Sequence, residues 1–206
     1  PAGGKVGALN IGDAAADAGI RVYLDADIVV GPCMIERVFR ALSGPGPRYA
    51  GAKLVVPAPN SRISVAYARF WQKLPFVART ATGAGLFAVN AEGRARWGTF
   101  PDIIADDGFA RLHFAPHERV RVDESYQWPI SDGLALLVKV RRRQDAGNRQ
   151  LQALYPALTG NAADDRPSRR DLIRLAVGDP GGFACYALVS LCVALGPRPT
   201  TWTRSR

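Results

Sequence analysis

Ile20-Arg21-Val22-Tyr23-Leu24-Asp25-Ala26-Asp27 decides the reading of this chain. Apart from one arginine, its first five residues are apolar, β-branched or aromatic, which predicts a short buried strand. The strand runs straight into two carboxylates at i and i+2, and both can face one site if the chain turns there. In α/β sheets ligands bind beyond the carboxyl ends of strands, so the position itself favours binding. Oxygen donors of this kind suit Mg²⁺ or Mn²⁺ held jointly with substrate phosphates. Taken alone, such a tripeptide is more often a surface turn or a helix N-cap, because short motifs recur by chance.

Working outward, residues 5–18 predict a helix of small residues ended by Gly19. Pro32 opens a helix with Ile35, Val38, Phe39 and Leu42 at helical spacing. Ser43–Pro47 is a loop, and Tyr49–Val56 a strand. A helix over 62–73 carries Ile63, Tyr67 and Phe70 on one face, and Leu86–Val89 is a second apolar strand. Residues 105–114 read as a helix, 119–123 as an alternating strand, and 132–143 as a helix capped by Ser131. Strands alternating with helices argue for an α/β layer architecture.

The chain has 206 residues and a net charge of +9. Basic residues gather over 139–170 and in Arg198, Arg204 and Arg206, while acidic ones gather at Asp25–Asp27 and Asp102–Asp107. A basic balance suits phosphate-bearing substrates, an anionic membrane surface or nucleic acid; a solvated basic face explains it as well. Nucleic acid is the weakest of these, since no aromatic residues interleave with the arginines and no recognition motif is present. Cys33, Cys185 and Cys192 are widely spaced and distant in sequence from His113 and His117. That spacing disfavours a zinc site or a disulfide framework and fits a reducing, cytoplasmic setting. Pro1-Ala-Gly-Gly-Lys5 has no apolar stretch behind it, so no signal peptide is expected.

Residues 159–170 turn polar and rich in Gly and Pro, as in a linker. A short helix over 169–176 and the apolar run Phe183–Leu195 follow. That run is shorter than the roughly 20 residues a membrane span needs. It suits a packed helix, or an interfacial segment at the inner face of the cell membrane, since arginines flank it.

Three further groups can carry chemistry. Lys5 and Asn10 lie on the helix ahead of the carboxylates, and lysine is a point-charge partner for phosphate. Asp106-Asp107 begins a helix, where one carboxylate can stabilise the helix start and the other act as a general base. Lys139-Val-Arg-Arg-Arg143 with Gly147-Asn148 offers guanidinium forks for a diphosphate. Each has a bland counterpart: a frayed lysine, ordinary first-turn acids and a solvated helix face.

In order along the chain, these segments resemble the family 2 glycosyltransferases of GT-A fold. Gly4-Lys5-x-x-Ala8-Leu9-Asn10-x-Gly12 is similar to the family's GKxxALNxG segment, and Val22–Asp27 to its strand plus DxD. Gly83-Ala-Gly85-Leu-Phe-Ala-Val89 resembles the Gly-rich stretch near the acceptor. Phe100–Asp107 resembles the segment carrying the catalytic base, and Arg141–Asn148 the arginine-containing stretch beyond it. The match spans roughly residues 4–152 and looks closest to bacterial members that build exopolysaccharide or glycolipid.

The resemblance implies a GT-A-like, incomplete Rossmann-like mixed sheet flanked by helices. Together with the composition shift, the expected division is a catalytic domain over 1–158, a linker over 159–170 and a C-terminal helical segment over 171–206, either packed or membrane-associated. The resemblance implies Asp27 and Asp25 as metal ligands for Mg²⁺ or Mn²⁺, and Asp107 as the base that deprotonates the acceptor hydroxyl. Lys5, Asn10, Asp25, Arg141 and Arg143 would line the nucleotide-sugar donor, and Gly83, Gly85 and Asp106 the saccharide or lipid-linked acceptor. The implied reaction is inverting transfer of a sugar to a hydroxyl. The family's opening strand and loop, which bind the nucleobase, do not precede Gly4, so the expectation is a chain lacking that half of the donor pocket. The alternative is therefore an inactive fragment that keeps the fold without turning donor over. The Gln-x-x-Arg-Trp of processive synthases is also missing, which favours single-sugar addition.

Overall fold

The computed structural model describes residues 4–165 and 167–196. In chain order the helices are α1 (Lys5–Ala15), α2 (Met34–Leu42), α3 (Arg62–Trp71), α4 (Pro75–Arg79), α5 (Ala91–Arg94), α6 (Asp106–Leu112), α7 (Leu134–Leu154), α8 (Arg169–Gly178) and α9 (Pro180–Leu195). The strands are β1 (Ile20–Leu24), β2 (Val29–Val30), β3 (Tyr49–Val55), β4 (Leu86–Asn90) and β5 (Arg119–Gln127). They form one mixed sheet in the order β1-β4-β3-β5-β2. Only β3 and β5 run parallel; β1 and β3 flank β4 antiparallel, and β2 closes the far edge against β5. The expected α/β class is what the chain adopts: a mixed sheet with helices on both faces.

The two-residue period of the strands divides the core. On β4, Phe87 and Val89 join Tyr23 and Tyr49 on one face, under α1 and α6. Leu86 and Ala88 join Ala50, Ala52 and Leu54 on the other, against α2. Every residue of β4 is buried, as suits the inner strand between β1 and β3. Tyr23 stacks on Phe87 with ring centroids 4.5 Å apart, and each buried aromatic of this kind stabilises the fold by roughly 1.5–3 kcal/mol.

Several expectations are corrected. Helix α2 buries Met34, Val38 and Leu42, whereas Ile35 and Phe39 face solvent. Two apolar stripes share that helix, Met34/Val38/Leu42 and Ile35/Phe39 one residue further on, and the second is the one left outside. Helix α7 begins after Gly133 at a positive φ of 87°, and Ser131 does not cap it. The helix also continues through the polar run to Leu154, because Gly147 lies against Ile104 and Leu151 is buried. A linker was expected over 159–170, and Pro156–Asp165 forms a 3₁₀ helix that takes in its first part. Leu158 and Ala162 pack on the core there, and the Asn161 amide donates to the Leu112 carbonyl at 2.9 Å.

The apolar run belongs to α9, which packs through Val189, Cys185 and Tyr186 against Tyr67, Leu137 and Val138 of α3 and α7. Asp179 caps it by accepting from the Gly182 N–H at 2.9 Å and holds Arg69 at 2.7 and 2.8 Å. Among the described residues, no helix is long and apolar enough to cross a membrane.

Candidate active site

Strand β1 delivers Asp25 to the sheet's edge, where its N–H donates to the Gly85 carbonyl at 2.9 Å. The chain then turns, with the Ile28 N–H donating to the Asp25 carbonyl at 3.2 Å. This is the turn the two carboxylates require. Asp25 is partly buried, and Asp27 is exposed on the turn.

The loop before β4 is held close beneath them. Gly83 and Gly85 both have positive φ, 79° and 73°. A Cβ on Gly83 would collide with the Tyr49 hydroxyl, and one on Gly85 would lie 2.6 Å from Ile28 and 2.7 Å from Trp128. Glycine is therefore required twice over, by conformation and by space. The Tyr126 hydroxyl donates to the Ala84 carbonyl at 2.6 Å and Arg111 Nε to the Ala81 carbonyl at 3.0 Å, which fixes the loop's path.

Helix α6 brings up the second pair of carboxylates in its first turn. Lys5, at the start of α1, joins the two groups: its ammonium is 3.0 Å from Asp25 Oδ1 and 3.0 Å from Asp106 Oδ2. Burial works against the charge on Lys5, but the Asp106 and Asp25 carboxylates outweigh it and raise the lysine above its ordinary value. Burial raises Asp106 despite the pull of Lys5. Asp107 is pushed up to about 6, first by burial and then by the charge of Asp106, against the opposing effects of Lys5 and the Gly108 N–H. That N–H donates to Asp107 Oδ1 at 2.7 Å.

Lys5, Asp25, Gly83, Gly85, Asp106 and Asp107 all border one open cavity of about 520 Å³, whose remaining wall comes mainly from α1 and β1, with Phe87 of β4. Six of the expected site residues thus meet in space. Asp27 stands at the rim on the turn rather than in the lining.

Three expected residues fall elsewhere. Asn10 has its amide engaged at both ends by the Phe100 backbone, donating to the carbonyl at 3.0 Å and accepting from the N–H at 2.7 Å. It anchors the segment leading to Asp106 instead of pointing into the cavity. Arg141 donates to the Tyr67 hydroxyl at 3.0 Å and lies over the Tyr186 ring, in the α3–α7–α9 cluster. Arg143, one residue further along α7 than Arg142, is partly buried and outside the cavity lining. Arg141 and Arg142, which donates to the Cys192 carbonyl at 2.6 Å, are thus engaged between α7 and its neighbours α3 and α9.

Asp13, which the sequence reading passed over, is a hub. Its carboxylate accepts from Tyr23 at 2.7 Å, Arg21 at 3.1 Å and Arg94 at 2.9 Å. Its place one turn beyond Asn10 on α1 is the only sequence signal it carries. A second cavity of about 510 Å³, bordered by Asp13, Arg21, Arg94 and Trp97, lies beside it, and its charged groups are paired with one another.

Among the described residues, no group of three or more His, Cys, Asp or Glu side chains gathers as an all-protein metal cage. Two aspartates at a strand-end turn are an oxygen-only donor set, which fits a hard divalent cation that completes its shell with substrate phosphates and water.

No protein-family model matches the chain, and no curated protein does. Among solved structures it is similar to the mannosyltransferase PcManGT from Pyrobaculum calidifontis, determined in complex with GDP-Man and Mn²⁺, at 18% sequence identity and a TM-score of 0.49. That likeness covers 94% of this chain and 56% of the other, so the chain spans about half the length of that mannosyltransferase.

Proposed function

We propose that this chain carries the reaction centre of an inverting glycosyltransferase, which moves a sugar from a nucleotide-sugar donor to a hydroxyl of a saccharide or lipid-linked acceptor. The observation that carries this reading is the convergence of Lys5, Asp25, Asp106 and Asp107 on one cavity, with Asp107 poised at about 6. A base tuned to that range is ionised at neutral pH yet retains proton affinity, the compromise general-base catalysis needs.

Asp107 takes the proton of the acceptor hydroxyl. The acceptor oxygen forms its bond to the anomeric carbon as the bond to the nucleoside diphosphate breaks, so the diphosphate leaves with its electron pair and the proton stays on Asp107. A single in-line displacement inverts the anomeric carbon. Lys5 holds Asp25 and Asp106 in register and opposes the upward shift of Asp107. Gly83 and Gly85 let the acceptor-side loop pack directly against Tyr49, Ile28 and Trp128. Asp27 with Asp25 would hold Mg²⁺ or Mn²⁺, which when bound supplies positive charge against the departing diphosphate. Arg141, held by Tyr67, has no part in this scheme.

Titration of the protein with UDP-, GDP- and dTDP-sugars, with and without Mn²⁺, tests the donor side. Asp27→Ala should weaken the metal-dependent part of nucleotide binding. Unchanged affinity and unchanged metal dependence would remove Asp27 from the scheme.

A further inference from the structure

Helix α7 turns one face to the segment that carries the second pair of carboxylates. Gly147, Gln150 and Leu151 follow at i, i+3 and i+4, so they share that face. The segment they meet, residues 101–105, forms neither helix nor strand, and its backbone donors need partners from elsewhere. The Ile103 N–H finds one nearby in the Pro101 carbonyl at 2.8 Å. The Ile104 N–H donates instead to Gln150 Oε1 at 3.1 Å, across 46 residues of sequence.

Packing on either side of that bond is close. A Cβ on Gly147 would lie 2.9 Å from Ile104 Cγ2 and 3.2 Å from the Ala105 nitrogen, so the α7 backbone comes directly against the segment. A Cβ on Gly108 would lie 3.2 Å from Leu151 Cδ2, and Leu151 joins Ala105 and Phe109 in one buried cluster. Helix α6 starts between these two contacts, and no side chain caps it: Ala105 stands at the N-cap position with φ −97° and ψ 62°. The helix start is therefore held by α7 and not by a cap of its own. Gln150 is partly buried and, like Gly147 and Leu151, lies outside the cavity lining.

We infer that Gln150 is a positioning residue for Asp107: through the Ile104 N–H it fixes the backbone three residues ahead of that carboxylate, and Gly147 and Leu151 complete the grip on either side. The inference rests on the reading of Asp107 as the base and adds to it what sets the base's place. A general base works only within hydrogen-bond reach of the proton it takes. Misplacement on the order of 1 Å can cost about a hundredfold in rate, so a side chain that never touches substrate can govern turnover from behind. Lys5 and the Gly108 N–H act on the carboxylates themselves, whereas Gln150 acts on the backbone that carries them. Donor binding, assigned to the Asp25–Asp27 turn, lies outside its reach.

Three measurements on the full chain test it: amide hydrogen exchange at Ile104, carboxyl NMR titration of Asp107, and transfer from UDP-, GDP- and dTDP-sugars with Mn²⁺. Gln150→Met keeps the length of the side chain and deletes the acceptor. It should speed exchange at Ile104 by about tenfold or more. Burial is the first cause of the Asp107 value of about 6, so a carboxyl that gains water should titrate lower, toward its ordinary range. The kcat for transfer should fall roughly tenfold, with the donor KM within about twofold. Gln150→Glu returns an acceptor oxygen and should recover the Ile104 protection and most of kcat. Gly147→Ala, which helix propensity alone would favour, should lower kcat as well, because the added Cβ displaces Ile104. An Asp107 titration unmoved in both Gln150→Met and Gly147→Ala overturns the inference, whether or not the chain turns donor over. Loss of kcat matched by an equal loss of donor affinity also overturns it, since general damage does the same. Retained transfer in Asp107→Asn would instead overturn the base reading, and the Asp107 titration would still decide the grip of α7.

Discussion

Lys5 Nζ lies 3.0 Å from Asp106 Oδ2, and this contact joins the first turn of α1 to the first turn of α6 across the cavity mouth. Asp106 is buried and Lys5 is about half exposed, so the pair is a lysine leaning over a carboxylate that cannot reach water by itself. The same ammonium reaches Asp25.

Removing that ammonium leaves three acids facing one another. Lys5→Met should lower stability by about 1–3 kcal/mol at neutral pH, below the figure for a fully buried pair because Lys5 is partly solvated. It should also push Asp107 above about 6, since Lys5 is one of the groups holding it down. Thermal melts read the first effect and carboxyl NMR titration the second. An unmoved Asp107 titration would mean that Lys5 does not share its environment.

Asp107 itself stores a cost. Its folded-state value of about 6 exceeds the ordinary 3.8, so the folded protein binds this proton more tightly than the unfolded chain does. The associated stability is complete below 3.8 and is lost as pH rises through about 6. Asp107→Asn should therefore stabilise the protein at neutral pH by on the order of 1–3 kcal/mol, and the gain should vanish in acid. Melting temperatures across that window check it; a gain independent of pH would point to another cause.

The glycine loop is tested by steric relief. Gly83→Ala combines a positive φ with a clash against the Tyr49 hydroxyl, and should destabilise by about 1–3 kcal/mol. Adding Tyr49→Phe removes the hydroxyl and should restore part of the loss, leaving the backbone contribution. No restoration in the double variant would place the strain wholly in the backbone.

What the sequence disclosed follows from which forces are local. Strand β1 is found at its observed bounds because an apolar run stops abruptly at Asp25. The reach of α7 was hidden because Gly147 looks like a terminator, and only Ile104 packed against it shows why glycine belongs inside a helix. The inward stripe of α2 was hidden because Ile35 and Phe39 have the same spacing as Met34 and Val38, and the choice is made by the sheet. At the cavity, motif order brought Lys5, Asp25 and Asp107 to notice, but the Lys5 bridge depends on tertiary distance. Arg141 and Asn10 show the limit of motif reading: residue type suggests ligand binding, and the neighbours Tyr67 and Phe100 had already claimed both.

Asn10 gives a direct check of that last point. Asn10→Ala deletes both hydrogen bonds to Phe100 and should cost about 1–3 kcal/mol of stability. Nucleotide affinity, measured below the melting temperature, should change little. Lost affinity at unchanged stability would return Asn10 to the donor side.

The role proposed for Asp107 is that of the base for sugar transfer. It is tested by following nucleoside diphosphate release and glycoside formation from nucleotide-sugars with Mn²⁺, in the unaltered protein and in Asp107→Asn. The expected result is transfer that rises with pH through about 6, a product of inverted anomeric configuration, and loss of at least roughly a hundredfold in Asp107→Asn with donor binding intact. Transfer by Asp107→Asn at near the unaltered rate would contradict it.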